Sequence, residues 1–174
     1  MIEDRVRVMF RIPDNICRSI DAYAGYSHAS RPDVIIDACR QFRLAIFLSE
    51  KTLLDALDEQ DAIKEVKTAF FYQEMSKFVD GFKEDYRRSL SKTKEDVSIL
   101  VTFPPMLLAD INEYIKRSNL FKNIHDYVKA ALMYFFTVQV DRNKHEKRMQ
   151  DFTNTDDIAE KVEKLREMMK NENK

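Results

Sequence analysis

Arg5, Arg7 and Arg11 fall at alternate positions of Arg5-Val6-Arg7-Val8-Met9-Phe10-Arg11-Ile12-Pro13. Side chains of a strand alternate between its two faces, so these guanidinium groups share one face with Met9. Val6, Val8, Phe10 and Ile12 take the other. An arginine presents five donors in a flat fork and stays charged at any physiological pH. A row of such forks is built to hold acceptors. A second stretch, Asp96-Val97-Ser98-Ile99-Leu100-Val101-Thr102-Phe103-Pro104, repeats the alternation and the apolar–Pro ending. Here Asp96, Ser98, Leu100 and Thr102 share the face that carries arginines in the first stretch. Other chemistry is not signalled. There is no phosphate-binding glycine loop, dinucleotide fingerprint or nucleophile motif. His28, His125 and His145 are far apart, and Cys17 and Cys39 are isolated. No catalysis, metal or cofactor is therefore expected. His125 lies near an expected helix start, where it could touch an anion.

The elements that must position these faces also repeat. Pro13 and Pro104 stop each strand and can open a helix. Ile16, Ile20 and Tyr23 then correspond to Leu107, Ile111 and Tyr114, an apolar stripe at helical spacing. Gly25 is suited to end the first of these helices in the left-handed conformation, and Asn119 the second. Ser30-Arg31-Pro32-Asp33 reads as the cap of a further helix, with Asn123-Ile124-His125-Asp126 as its counterpart. Behind the caps, Val34, Ile35, Ala38 and Phe42 match Tyr127, Val128, Ala131 and Phe135. The second copy is longer in its helix–helix loop. A lone strand needs a partner, and the two strands pairing antiparallel would satisfy each other.

The expected fold is mainly α with a short two-stranded antiparallel β-ribbon. Residues 1–46 form the first repeat, 47–93 a helical linker, 94–140 the second repeat and 141–174 a charged helical tail. Within the linker, Phe71, Met75, Phe78, Phe82 and Tyr86 form an aromatic stripe expected to pack on the body or on a second chain. A break is expected near Asp58–Asp61, and Gly81 marks a kink or a helix end. Residues 139–150 can extend the preceding helix. In the tail, Ile158, Val162, Leu165 and Met169 form a narrow seam. It could dock on its own chain, pair with a second copy or bind a partner at 153–174.

The 174 residues include only 2 Gly, and 34% are charged, as expected of a largely helical chain. The net charge is -1, and no segment is strongly basic. Any affinity for nucleic acid must then come from a local cluster. No run is long and apolar enough to span a membrane, and the N-terminus lacks a signal-like apolar region. A soluble, cytoplasmic protein is expected.

Val8-Met9-Phe10-Arg11-Ile12-Pro13 and Ser30-Arg31-Pro32-Asp33-Val34-Ile35-Ile36-Asp37-Ala38 resemble the strand–Pro and cap-and-second-helix motifs of the ribbon-helix-helix family. This is the group of DNA-binding proteins related to MetJ, Arc and CopG. The resemblance covers about half of the chain, in two pieces. It implies a tandem pseudodimer, two copies in one chain, whose paired strands enter the major groove of double-stranded DNA. By position, it makes Arg7, Met9 and Arg11 the base-reading residues of one strand and Ser98, Leu100 and Thr102 those of the other. Arg7 and Arg11 could make bidentate contacts to guanine O6 and N7, and Leu100 could touch a thymine methyl. The resemblance gives phosphate contacts to Ser30, Arg31, Asn123 and Ile124 at helix N-termini, with Arg5 alongside. Unequal strands imply an asymmetric site. A transcriptional regulator is the leading expectation. The others are a protein-interaction module keeping the fold without DNA binding, a plasmid partition or transfer accessory protein, and an antitoxin. A homo-oligomer through the linker stripe or the C-terminal helix is a further expectation.

Overall fold

Two strands far apart in the chain, β1 (Val6–Pro13) and β2 (Asp96–Phe103), pair antiparallel as a two-stranded ribbon within one chain. The computed structural model describes residues 6–90, 95–140 and 155–172. Phe10, Ile12, Ile99, Val101 and Phe103 are buried on the inner face of the ribbon, and Val8 and Val97 are half-buried. Val6 departs from the alternation and is exposed at the ribbon's end, opposite Phe103. Helices cover the inner face, so the protein is mainly helical with one short antiparallel sheet.

After β1, α1 (Asp14–Ser27) and α2 (Arg31–Glu59) follow. After β2, α4 (Pro105–Ser118) and α5 (Ile124–Val140) follow. α3 (Lys64–Ser89) lies between the two strand–helix–helix units, and α6 (Thr155–Glu172) comes last. Pro13 and Pro104 occupy the cap positions of α1 and α4. There a proline costs nothing, because that N–H has no helical acceptor.

Gly25 does not end α1. The helix continues to Ser27, and His28 takes the left-handed conformation at φ 54. Asn119, at the equivalent position, does so for α4, also at φ 54. The His28 N–H donates to the Ala24 carbonyl, and the Ser27 hydroxyl donates to the Tyr23 carbonyl at 2.8 Å. These bonds carry the helix past the glycine. Likewise α3 runs through Gly81 to Ser89, so Gly81 is not a helix end.

α2 starts at a closed capping box. Ser30 Oγ accepts from the Asp33 N–H, and an Asp33 carboxylate oxygen accepts from the Ser30 N–H at 3.1 Å. Two of the helix's unpaired donors are thus satisfied reciprocally. Ser30→Ala is expected to lower stability by about 1 kcal/mol. A shift in urea midpoint with unchanged slope would report it, and an unchanged midpoint would show that the box contributes nothing. Asn123 does the equivalent for α5, accepting from the Asp126 N–H at 3.0 Å.

α2 also passes without interruption through residue 46, from the first repeat into the linker. The expected break comes where α2 stops at Glu59 and α3 starts at Lys64, with Asp61 at φ 48. Met75, Phe78, Phe82 and Tyr86 are buried in the chain's own core, and Phe71 is half-buried. Phe42 of α2 joins the parts. Its ring centroid lies 6.0 Å from Phe82, 6.2 Å from Phe121, 5.4 Å from Tyr127 and 5.5 Å from Tyr134.

α6 docks on its own chain. Ile158 and Val162 are buried, and Leu165 and Met169 pack beside them. Glu74 of α3, itself buried, pairs with Lys77 at 2.7 Å and Lys161 at 3.4 Å. The Arg166 guanidinium donates to the carbonyls of Gln60 and Asp61, at 2.9 and 3.1 Å. The linker stripe and the α6 seam therefore spend their apolar sides within this chain. The expected extension of α5 reaches Val140; its remainder, 141–150, lies outside the described residues.

Candidate nucleic-acid interface

The strand register assembles the outer face of the ribbon. Arg7 lies opposite Thr102, Met9 opposite Leu100 and Arg11 opposite Ser98. All but the half-buried Thr102 are exposed, and the apolar pair at the centre is open to solvent too, with Met9 50% and Leu100 45% accessible. A two-stranded ribbon of this width fits the major groove of B-form DNA. Among the described residues neither Arg7 nor Arg11 has a carboxylate partner, so both forks are unspent. Arg5 lies outside the described residues. Asp96, opposite Pro13, ends the ribbon on an exposed carboxylate.

The corners of the ribbon differ. α2 packs against β2. At its N-terminus, Arg31 is committed to Asp21 through two bonds of 2.6 and 2.7 Å. Hydrogen bonds from Ser30 hold the Asp33 carboxyl below the usual carboxylate range. A phosphate arriving there would meet two carboxylates, and Arg31 would have to leave Asp21 to bind it. Ser30 is in place at this corner, but the local charge is unfavourable.

The N-terminus of α5 sits beside β1, the arginine strand. His125 Nε2 is 3.1 Å from the Met9 carbonyl oxygen, and its ring lies 5.0 Å from Phe10. A carbonyl only accepts, so Nε2 carries the hydrogen in this contact. The bond fixes the helix end against the ribbon. Next to it is a concavity of about 330 Å³ whose lining includes Lys83, Arg87, Lys122, Asn123, His125 and Lys129. Asp126 is the one carboxylate in that lining, and it is bonded to Lys83 at 3.1 Å and to the Lys122 N–H at 3.2 Å. Lys122 has no ion-pair partner among the described residues, and Lys129 rests 5.7 Å from the centre of the Tyr86 ring. Ile124 is half-buried and offers only its backbone N–H. Helix dipole, backbone donors and lysines here all favour an anion.

The six expected base-reading residues are thus brought together on one patch. Asn123 and Ile124 join it at a basic corner, whereas Ser30 and Arg31 lie at a corner where the cation is already paired. The sequence reading missed Lys83, Arg87, Lys122 and Lys129. Lys83 and Arg87 share a face of α3, but nothing local links that face to the cap of α5; the packing of α3 on α5 does.

No family model matches the chain, and no curated protein or solved structure does. Among the described residues no group of His, Cys, Asp or Glu is placed to hold a metal, and no helix is long and apolar enough to cross a membrane. Cys17 and Cys39 are both buried, and burial pushes both thiols up, away from the reactive thiolate.

Proposed function

We propose that this chain is a sequence-specific double-stranded DNA-binding protein, a transcriptional regulator, folded as a tandem ribbon-helix-helix pseudodimer. The observation that carries the reading is the pair of unspent arginines, Arg7 and Arg11, on the solvent face of an antiparallel ribbon. The register adds support. The two repeats align Met9 with Leu100, and these same residues face each other across the ladder. A local two-fold relating the repeats would require that coincidence. In this reading Arg7 and Arg11 contact bases on one half of the site, and Ser98, Leu100 and Thr102 contact the other half more weakly. The basic corner at α5 grips the phosphates flanking the arginine half.

Selection from a random pool of duplex DNA, repeated across a salt series, tests it. An asymmetric motif should be enriched, with affinity falling linearly in log–log form as salt rises. A folded protein that enriches nothing at low salt would sink the proposal. The exposed Met9–Leu100 pair on a chain of net charge -1 favours a second reading, a protein-interaction module that keeps this fold. That outcome of the selection would move weight to it.

A further inference from the structure

Beyond the row it buries, α2 carries a second apolar row, facing water. Leu44, Phe47, Leu48 and Leu54 are 57, 54, 49 and 45% accessible. Scattered exposed leucines need no account, but a contiguous patch marks a contact surface. Arg40, Leu44, Phe47, Lys51, Leu54 and Asp58 follow one another in alternating steps of four and three residues. That spacing keeps successive side chains on a single seam of a helix.

The seam complements itself when reversed. With a second α2 laid antiparallel, Arg40 meets Asp58, Leu44 meets Leu54, and Phe47 meets Lys51, each pair occurring twice. The Phe47–Lys51 pair sets an ammonium against an aromatic face. Parallel and in register, the same seam would set Arg40 on Arg40, Lys51 on Lys51 and Asp58 on Asp58. The order of charges therefore selects the antiparallel arrangement.

We propose that two copies of this chain associate through this face of α2 as an antiparallel, two-fold-symmetric pair. The surface beside the seam is hollowed to receive a partner. A concavity of about 450 Å³ lies between α2 and α4 at Leu44 and Phe47, closed by Leu107 and the Arg43–Asp110 pair. Another of about 370 Å³, where Leu54, Phe71 and Tyr72 stand among Glu50, Lys64, Lys67 and Arg117, lies at the level that the second copy's Leu44 and Phe47 reach. Within the chain Arg40 pairs with Asp37 at 3.3 Å and Asp58 pairs with Lys67. The side chains of Arg40, Asp37 and Asp58 are exposed and that of Lys67 is half-buried; pairs this close to solvent are worth little, so sharing their charges with a second copy forfeits little. The seam begins about 13 Å along α2 from its first residue. Pairing there leaves the outer face of the ribbon uncovered. Pairing through this face does not require DNA binding.

Sedimentation equilibrium of the full chain, from low micromolar to near-millimolar concentration, tests it. The parent should show a monomer–dimer equilibrium, and Phe47→Glu should weaken it by at least about tenfold. Arg40→Asp and Asp58→Arg chains should each dimerise poorly alone yet pair when mixed, because only the mixed pair meets opposite charges at both ends. A parent that stays monomeric throughout, which would leave the face to some other occupant, overturns the proposal. So does a dimer indifferent to Phe47→Glu, or a mixture that pairs no better than its components.

Discussion

Replacing Arg7 and Arg11 together with alanine is expected to weaken binding to the preferred duplex by roughly thirty-fold to twenty-thousand-fold, with the fold intact. Each bidentate arginine–guanine contact carries about 1–3 kcal/mol of discrimination, and every 1.4 kcal/mol is about tenfold. The two positions are about 13 Å apart along the strand, far enough for their effects to add. Both side chains are exposed and, among the described residues, have no carboxylate partner, so removing them leaves no buried group of those residues unpaired. The sequence preference should relax at the arginine half of the site and persist at the other. Lys122→Ala with Lys129→Ala should behave differently. It should weaken all duplexes about equally and make the salt dependence shallower by about 1 for each phosphate no longer gripped. Titrations of preferred and scrambled duplexes at several salt concentrations separate the two patterns. An Arg7/Arg11 variant that is folded and binds as tightly as the parent would show that the ribbon's outer face does not read DNA.

Phe42→Ala is expected to cost about 3–5 kcal/mol of stability, the range for emptying a large aromatic site. That is a large share of the roughly 5–15 kcal/mol that holds an ordinary domain folded. The ring has no solvent exposure and borders Phe82, Phe121, Tyr127 and Tyr134. Its loss therefore loosens α2 from both α3 and α5 at once. At about 2–4 °C per kcal/mol for a chain of this size, the melting temperature should fall by roughly 6–20 °C. Phe42→Leu should cost less, since it refills part of the volume. Tyr26→Ala, at an exposed position of α1, should change almost nothing. Urea unfolding of the three variants checks the ranking, and a Phe42→Ala loss below about 1 kcal/mol would refute the hub role.

What the sequence made legible was whatever local pattern controls. Strict alternation and a closing proline marked both strands. The two-residue difference in loop length anticipated the three-residue connection after α1 and the five-residue one after α4. The caps at Ser30 and Asn123 follow from side chains that can reach their own backbone. Gly25 misled, because conformational freedom permits a helix end without requiring one. Aligning the repeats would have pointed to His28, since Asn119 stands at the equivalent place and histidine also tolerates the left-handed region. The run of α2 straight through residue 46 has a related cause. No proline or glycine lies between Phe42 and Glu59, so nothing breaks α2 where the similarity between repeats fades. The ion pair between Arg31 and Asp21 and the basic corner around Lys122 were not legible, because each joins side chains that only the packed helices bring together.

The pairing of β1 with β2 also sets a problem of timing during synthesis. About 80 residues separate the strands, and at roughly 5–20 residues per second β1 emerges several seconds before its partner exists. Through that interval its backbone donors and acceptors are open to any other extended chain, the situation in which strands join wrongly. Arg7 and Arg11 stand on that waiting strand, and charged residues on an unpaired strand discourage such joining. The side chains proposed to select a DNA site in the finished protein would then already have served, on the ribosome, to keep nascent copies apart.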